Sequence, residues 1–325
     1  MTRSASSSGV GLLTTDDKAV LAVRFTDLWK NFHPERFFLL SILGDRWDIR
    51  PDDDANLLIY GPYGSKHREH RGTKLLISGE PWQFAREACD FSISWHWIDE
   101  PSHLRVPNGF WYLFEVGDEA LDRRTFRAWV DRPNFCNFIY ANGEPPERRA
   151  FFEILSRRRF VHSPGSVDTN TEPISGRHDI DWRGSKIAYQ RQFRFSIAFE
   201  NSSHEWYTTE KIVDALLGGT IPIYWGNPRV STDVNPSTFV NAHDFGSLAE
   251  LADFVVALDE DRDNAQRYFE SRPIAAGAVA VLAEEIRWFF QRVVDDIGRR
   301  RLRKLFRVER NRAAWWLRRA RLNRR

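Results

Sequence analysis

Three short stretches pair charged side chains with positions where a chain can meet a ligand. In the first, Glu200 and Asn201 follow the run Arg194 to Phe199, and Thr208 to Leu217 then reads as a helix with Glu210 and Lys211 in its first turn. The end of a strand beside the start of a helix is where α/β sheets open a binding crevice. Glu210 suits the positive end of a helix dipole. Lys211 does not, and costs about 0.3–1 kcal/mol there unless an anion lies close. Free backbone N–H groups at a helix start, joined by a lysine, make a candidate diphosphate cradle. In the second stretch, Arg148 and Arg149 occupy the opening turn of a helix from Pro146 to Ser156. Read by spacing alone, these cations are better described as simply solvated charges. Two cationic helix starts that both follow strand ends could also converge on one phosphate group. In the third, Glu80 follows Gly79 at the carboxyl end of the strand Lys74 to Ser78, with Pro81 fixing the turn; alone it reads as a surface-loop glutamate. Neither GxGxxG nor GxxxxGK[ST] occurs, so the usual dinucleotide and P-loop signatures are absent.

The elements that must position these groups alternate. A first block runs through strands at 20–25, 55–60, 74–78 and 91–95, with helices at 34–43 and 82–88. A second block, after Asp131-Arg132-Pro133, runs through strands at 135–140, 194–199 and 220–225, with helices at 146–156, 208–217 and 248–258. Ser163 to Gly184, rich in Ser, Gly, Asp and Thr, reads as a long loop. Strand–helix alternation implies parallel sheets in an α/β protein, and two blocks imply two Rossmann-like halves facing a cleft. The expected division is a disordered leader at 1–15, a first domain at 16–132, a second at 133–275, and a helical segment with a basic tail at 276–325.

Composition removes several classes. The chain has 325 residues, 42% hydrophobic and 28% charged, which is ordinary globular usage. The longest apolar run, Ile274 to Ala283, is well short of the roughly 18 residues of a membrane span. Cys89 and Cys136 cannot build a disulfide framework, and no Cys/His spacing suggests zinc; a reducing, cytoplasmic setting is expected. The net charge of +2 hides an asymmetry: residues 299–325 hold 13 Lys and Arg against Glu309 alone, leaving 34 basic and 44 acidic residues elsewhere. Leu302, Leu305, Phe306, Ala313, Trp316, Leu317 and Ala320 share one helical face in that tail. A basic amphipathic helix with tryptophans suits an anionic membrane surface, which would make the protein peripheral on the inner face of a membrane. Docking on the acidic body of the chain, an oligomer contact, simple solvation and nucleic-acid binding are the competing readings. The last is disfavoured, because no nucleic-acid-binding fold accompanies the tail.

The segment from Phe193 to Gly226 carries a resemblance. Its pattern F-x-F-x-x-A-F-E-N-S, then Y-T-T-E-K-x-x-D-A-L-L-G-G-T-I-P-I-Y-W-G, resembles the signature of the α-1,3-fucosyltransferases, glycosyltransferase family 10, of the bacterial type. Asn235-Pro236, Phe239-Val240-Asn241, Arg148-Arg149-Ala150-Phe151-Phe152, Gly165-Ser166-Val167, Ser78-Gly79-Glu80 and Leu104-Arg105-Val106-Pro107 support it, and the likeness covers about Leu75 to Pro236. The resemblance implies a GT-B architecture, with acceptor held by the first half and nucleotide by the second. It implies transfer of L-fucose from GDP-β-L-fucose, with inversion, to a hydroxyl of an oligosaccharide or lipid-linked glycan such as an N-acetyllactosamine-like unit. It implies Glu80 as general base and Arg148 and Lys211 as the cations on the leaving GDP. Glu210 would accept from ribose hydroxyls, and Asn201 and Tyr207 would contact the donor. Glu200 would shape the loop. No metal is obligatory, although a divalent ion could stimulate. Trp95-His96-Trp97 departs from the bacterial pattern in a region that should face acceptor. A transferase using another GDP-sugar and a non-catalytic glycan-binding module at a membrane are the alternatives.

Overall fold

The computed structural model describes residues 18–81, 88–176 and 181–322, with side chains described as far as residue 300. The expected leader at 1–15 and residues 82–87 of the helix expected at 82–88 lie outside the described residues.

The first sheet forms from β1 (Ala19–Thr26), followed by helix α1 (Phe38–Leu43), β2 (Trp47–Pro51), β3 (Leu57–Tyr60), β4 (Thr73–Ser78), β5 (Phe91–Ser94) and β6 (His103–Arg105). The strands lie in the order β2-β1-β3-β4-β5-β6, every pair parallel. Leu57-Leu58-Ile59-Tyr60 and Leu75-Leu76-Ile77 are buried without alternation, as a parallel sheet covered on both faces requires. Two short helices, α2 (Leu113–Val116) and α3 (Phe126–Val130), lead out of this half.

The second sheet holds β7 (Asn134–Asn137), helix α4 (Pro146–Ser156), β8 (Val161–His162), α5 (Trp182–Gln190), β9 (Phe193–Phe199), α6 (Glu210–Leu217), β10 (Ile221–Trp225) and β11 (Val240–Asn241). Its order is β11-β10-β9-β7-β8, again wholly parallel. Helices α7 (Leu248–Glu260) and α8 (Arg262–Gln266) follow, and the last element is α9 (Ala278–Leu322). Two all-parallel sheets, each carrying its own core, make the GT-B architecture that the sequence implied.

Several elements depart from the sequence reading. β2 and β6 were not among the expected strands: both are short edge strands, and β2 is broken by charges in Trp47-Asp48-Ile49-Arg50-Pro51. Part of the expected loop at 163–184 is already helix, because Asp181 caps α5 by accepting from Gly184 N at 3.0 Å. α6 begins at Glu210, with Thr209 as its extended N-cap, two residues later than expected. The largest difference concerns 276–325, which reads as a separate segment in sequence. Ala283, Ile286, Phe289, Phe290 and Val293 of α9 belong to the first sheet's core, beside Leu39, Leu57 and Ile93. Burying a side chain of this size contributes about 1.5–3 kcal/mol. Arg287 donates to Asp45 at 2.6 Å and to the Ile42 carbonyl at 2.9 Å, and Arg46 meets Glu284 at 2.9 Å.

The halves meet along a third core. Phe110, Leu113 and Leu121 pack on Ile212, Val213 and Leu216 of α6. Arg105 at the end of β6 grips Asp233 with two 2.8 Å hydrogen bonds and donates to the Trp206 carbonyl. Gly109 is needed at the crossing, since a Cβ there would lie 2.6 Å from the Thr209 carbonyl oxygen. The start of α6 is thereby fixed against the first half.

Candidate active site

The groups at the carboxyl end of β9 are assembled by a buried carboxylate. Glu200, fully buried, accepts from Thr209 N at 2.7 Å and from Thr209 Oγ1 at 2.5 Å. Its Oε2 also lies 3.1 Å from Lys211 Nζ. Gly226 sits at φ +152, and a Cβ there would fall 2.3 Å from Glu200 Cγ, so a side chain would displace the carboxylate. Lys211 Nζ donates onward to Thr209 Oγ1 at 2.9 Å and to Glu210 Oε1 at 3.4 Å. The lysine that opposes the helix dipole is thus offset by the chain's own carboxylates, not only by a ligand. Burial works against its charge, but Glu200 and Glu210 outweigh that and hold the ammonium well above the ordinary lysine range. Burial also raises Glu210, yet Lys211, Lys186 and Arg183 together keep its carboxyl well below the usual range. Glu200 is raised, chiefly by burial.

Arg148 reaches the same place from α4. Its Nη1 donates to the Asn142 carbonyl at 2.6 Å, and its Nη2 to the Phe199 carbonyl and Asn201 Oδ1, both at 2.9 Å. The guanidinium lies 4.0 Å from the centroid of the Tyr140 ring. It is wholly buried, and among the described residues it forms no ion pair with a carboxylate, which is costly for a buried charge. Its neighbour Arg149 points the other way and forms an exposed fork with Asp168 at 2.9 and 2.8 Å. The ambiguity of the Arg-Arg pair is resolved by that geometry: Arg148 faces inward.

A cleft of ≈ 380 Å³ joins these side chains, lined among others by Arg148, Asn201, Glu210 and Lys211 with Tyr140 and Lys186. Four of the five expected donor-side residues therefore come together. Tyr207 does not line this cleft. It is buried at the junction of the halves, edge-on to Trp95 with ring centroids 5.0 Å apart, and burial drives its phenol far above the ordinary range. It lies within electrostatic reach of Glu80 on one side and of Glu200, Glu210 and Lys211 on the other.

Glu80 stands at the carboxyl end of β4, half-buried, with its backbone clamped. Trp95 Nε1 donates to the Glu80 carbonyl at 2.7 Å, and Asn108 Nδ2 to the Gly79 carbonyl at 3.3 Å. Its side chain accepts from Tyr63 OH at 2.5 Å. Asp27, at φ +53, secures the Tyr63 loop: its carbonyl accepts from Tyr63 N at 3.0 Å, and its Oδ2 accepts from His67 N at 2.8 Å. The departure at Trp95-His96-Trp97 is accounted for in part, since Trp95 supports Glu80 while Trp97 stacks on Trp206 at 4.9 Å across the two halves.

Sequence reasoning missed Lys186, Tyr140 and Tyr63. Lys186 lies just over one turn inside a helix whose start reads as loop, and its Nζ donates to Asp214 Oδ2 at 3.0 Å. Tyr63 lies in Gly61-Pro62-Tyr63-Gly64, which announces a turn and nothing more. Among the described residues no group of three or more His, Cys, Asp or Glu is placed to hold a metal ion, and no helix is long and apolar enough to cross a membrane.

Two facing parallel sheets with a cation-lined cleft at one set of strand ends are the arrangement of the GT-B class of folds. Residues 138–288 match the family profile "Glycosyltransferase family 10 (fucosyltransferase) C-term", and residues 23–114 match "Alpha-(1,3)-fucosyltransferase FucT N-terminal domain". The chain belongs to glycosyltransferase family 10. It is 39% identical over 256 residues to the α-(1,3)-fucosyltransferase FucT of Helicobacter pylori, a match covering 67% of this chain and 52% of that protein. The chain thus spans about half that relative's length. It is 44% identical to human α-(1,3)-fucosyltransferase 7 over 84 residues, 25% of this chain and 24% of that one. A solved α1,3-fucosyltransferase shares the fold with a TM-score of 0.74 at 22% identity, over 88% of this chain and 93% of that chain. A second solved α1,3-fucosyltransferase, with GDP-fucose, superposes with a TM-score of 0.71 at 21% identity, over 88% and 93%. The first-half match begins before Leu75 and the second-half match runs on past Pro236, the limits of the motif-based resemblance.

Proposed function

We propose that this protein transfers L-fucose from GDP-β-L-fucose to a hydroxyl of an acceptor glycan, the 3-hydroxyl of an N-acetyllactosamine-like unit, with inversion at the sugar's anomeric carbon. The observation that carries the reading is Arg148: a buried guanidinium without a carboxylate partner among the described residues, in one cleft with Lys211 and Lys186. Such a site favours a ligand bearing concentrated negative charge. As the glycosidic bond breaks, charge grows on the leaving diphosphate, and fixed cations that need no reorganisation stabilise it. Arg148 and Lys211 fill that role, so turnover does not require a divalent metal. Glu210, kept ionised by its cationic neighbours, accepts hydrogen bonds from the ribose hydroxyls. Asn201 Oδ1 is committed to Arg148, which turns the amide's Nδ2 toward the donor as a hydrogen-bond donor. Tyr207 acts from behind, packing between the donor cleft and the acceptor base.

Glu80 Oε takes the proton of the attacking hydroxyl, and GDP departs from the opposite face. Tyr63 fixes the carboxylate's direction by donating to Glu80 Oε1, which leaves Oε2 for the proton. The acceptor is a free or lipid-linked oligosaccharide, and the basic residues 299–325 bring the enzyme to an anionic membrane surface. The deciding experiment incubates the protein with GDP-fucose, and in parallel with other GDP-hexoses, against acceptors ending in N-acetyllactosamine or glucose. Fucosylation of the first acceptor from GDP-fucose is expected, and it should continue with EDTA present. Turnover of another GDP-sugar alone would replace this reading.

A further inference from the structure

At the opposite end of the second sheet, four arginines gather around a second pocket. Arg132 precedes β7, Arg191 follows α5 and precedes β9, and Gly219 precedes β10, so this is the amino-terminal edge of the sheet, away from the cleft. With Arg123 and Arg124 of the connecting segment and Tyr112, they line a pocket of ≈ 460 Å³ that no carboxylate lines. Among the described residues none of the four arginines forms an ion pair. Asp118 and Asp122 of the same segment both pair with Arg272.

The cations are built in rather than stray. Arg132 Nη1 donates to the Phe193 carbonyl at 2.6 Å, and Gly219, at φ +69, leaves room for its Nη2, which a Cβ would approach to 2.6 Å. Arg124 lies 4.8 Å over the Phe269 ring and donates to the Tyr268 carbonyl at 3.3 Å, while its buried Nε has no partner. Burial, and then the charge of the next arginine in the row, lowers both Arg124 and Arg132 to about 10. Like charges held side by side out of water are unfavourable unless a counter-charge joins them. Guanidinium forks match phosphate oxygens two at a time.

We infer that this pocket is a second anion site, separate from the cleft, that holds a phosphate or diphosphate group. Helix α5 passes between the two sites, with Ile187 and Arg191 toward the arginine pocket and Lys186 toward the cleft, so a test has to tell them apart.

The probe is inorganic diphosphate, titrated calorimetrically into three full-length proteins. Wild type and Lys211→Ala should both bind it at this site. Arg123→Ser/Arg191→Ser should bind it at least about tenfold more weakly, one charge-assisted contact being worth that much. Arg123 and Arg191 are exposed, so their loss leaves the core intact; Arg191→Gln alone gives the same comparison should the double variant melt early. Vesicles of phosphatidylcholine with phosphatidylglycerol separate the two sources of phosphate. Reduced capture of the double variant, with its basic tail unchanged, supports a lipid headgroup, and unchanged capture with weakened diphosphate binding supports a soluble phosphorylated ligand. Equal diphosphate affinity and equal vesicle capture for wild type and the double variant overturn the inference.

Discussion

The phenol of Tyr63 and the carboxylate of Glu80 share a 2.5 Å hydrogen bond, across two loops that follow adjacent strands of the first sheet. Burial and the carboxylate beside it raise the Tyr63 phenol far above its ordinary range, so at neutral pH it keeps its proton and donates it to the carboxylate. A base whose direction is set in this way should lose effectiveness before it loses structure. Glu80→Gln should lower turnover about 10²–10⁴-fold, the usual span for general acid–base work, and leave GDP binding intact. Tyr63→Phe should lower kcat about tenfold with the KM for GDP-fucose unchanged. The two losses should not add in the double variant, since residues acting as one unit are not independent. Steady-state kinetics on the four proteins would decide, and additive losses would give Tyr63 a separate role.

The donor cations make a second set of outcomes. Lys211→Ala and Arg148→Ala should each weaken GDP binding about 10- to 150-fold, the value of one charge-assisted contact. Arg149→Ala should change it little, because that side chain faces Asp168 in solvent. Lys211→Ala has a further consequence: it leaves the buried Glu200 without its cation. Breaking a buried pair by removing one partner costs about 3–5 kcal/mol. Adding Glu200→Gln should restore the melting temperature without restoring GDP affinity. Calorimetry and melting curves on the same proteins separate the two effects, and recovery of GDP affinity in the double variant would make Lys211 a structural residue.

Acid should loosen the junction between the halves. Burial, with help from His103 and His204, lowers His96 to about 4, against about 6.5 in an unfolded chain. The unfolded state therefore binds the proton more readily. The stability tied to the neutral ring is present above pH 6.5 and is lost as pH falls from there toward 4. The melting temperature should drop between pH 7.5 and 5, and His96→Asn should flatten that slope. Burial lowers His70 and His162 as well, so part of the slope should remain. An identical pH profile in the variant would assign the whole effect to the other histidines.

Legibility from sequence followed the range of the forces involved. Strands such as Leu75 to Ser78 and Ile221 to Trp225, and the helix Pro146–Ser156, announce themselves through local apolar runs, proline and caps, and the motif around Glu200 and Lys211 places the donor side. What stayed hidden is long-range. Nothing near Tyr63 in the chain tells that Glu80 lies above it, and nothing in Ile286 to Val293 tells that the partner is a sheet some 200 residues earlier. Arg148 and Arg149 are chemically alike; only the fold distinguishes the one held under the cleft from the one held by Asp168.

The continuity of α9 sharpens the question of the tail. The helix is anchored in the first sheet's core as far as Ile297, and Arg300 then pairs with Asp90 and Asp296. Its backbone runs on without a break to Leu322, and a helix of 45 residues is about 67 Å long. Residues 299–325 carry a net charge of +12, the rest of the chain −10. If this extension serves an anionic membrane, truncation after Arg300, which keeps the pairs to Asp90 and Asp296, should release the protein from anionic vesicles. Each Lys or Arg near such a surface contributes about 1 kcal/mol that salt screens, so binding of the full chain should weaken with ionic strength. Activity on a soluble acceptor should survive, since Glu80, Arg148 and Lys211 all lie far upstream. Docking of the tail on the chain's own acidic surface requires another pattern: vesicle sedimentation unaltered by the truncation, and a lower melting temperature or a changed oligomeric state. That second pattern would defeat the membrane reading.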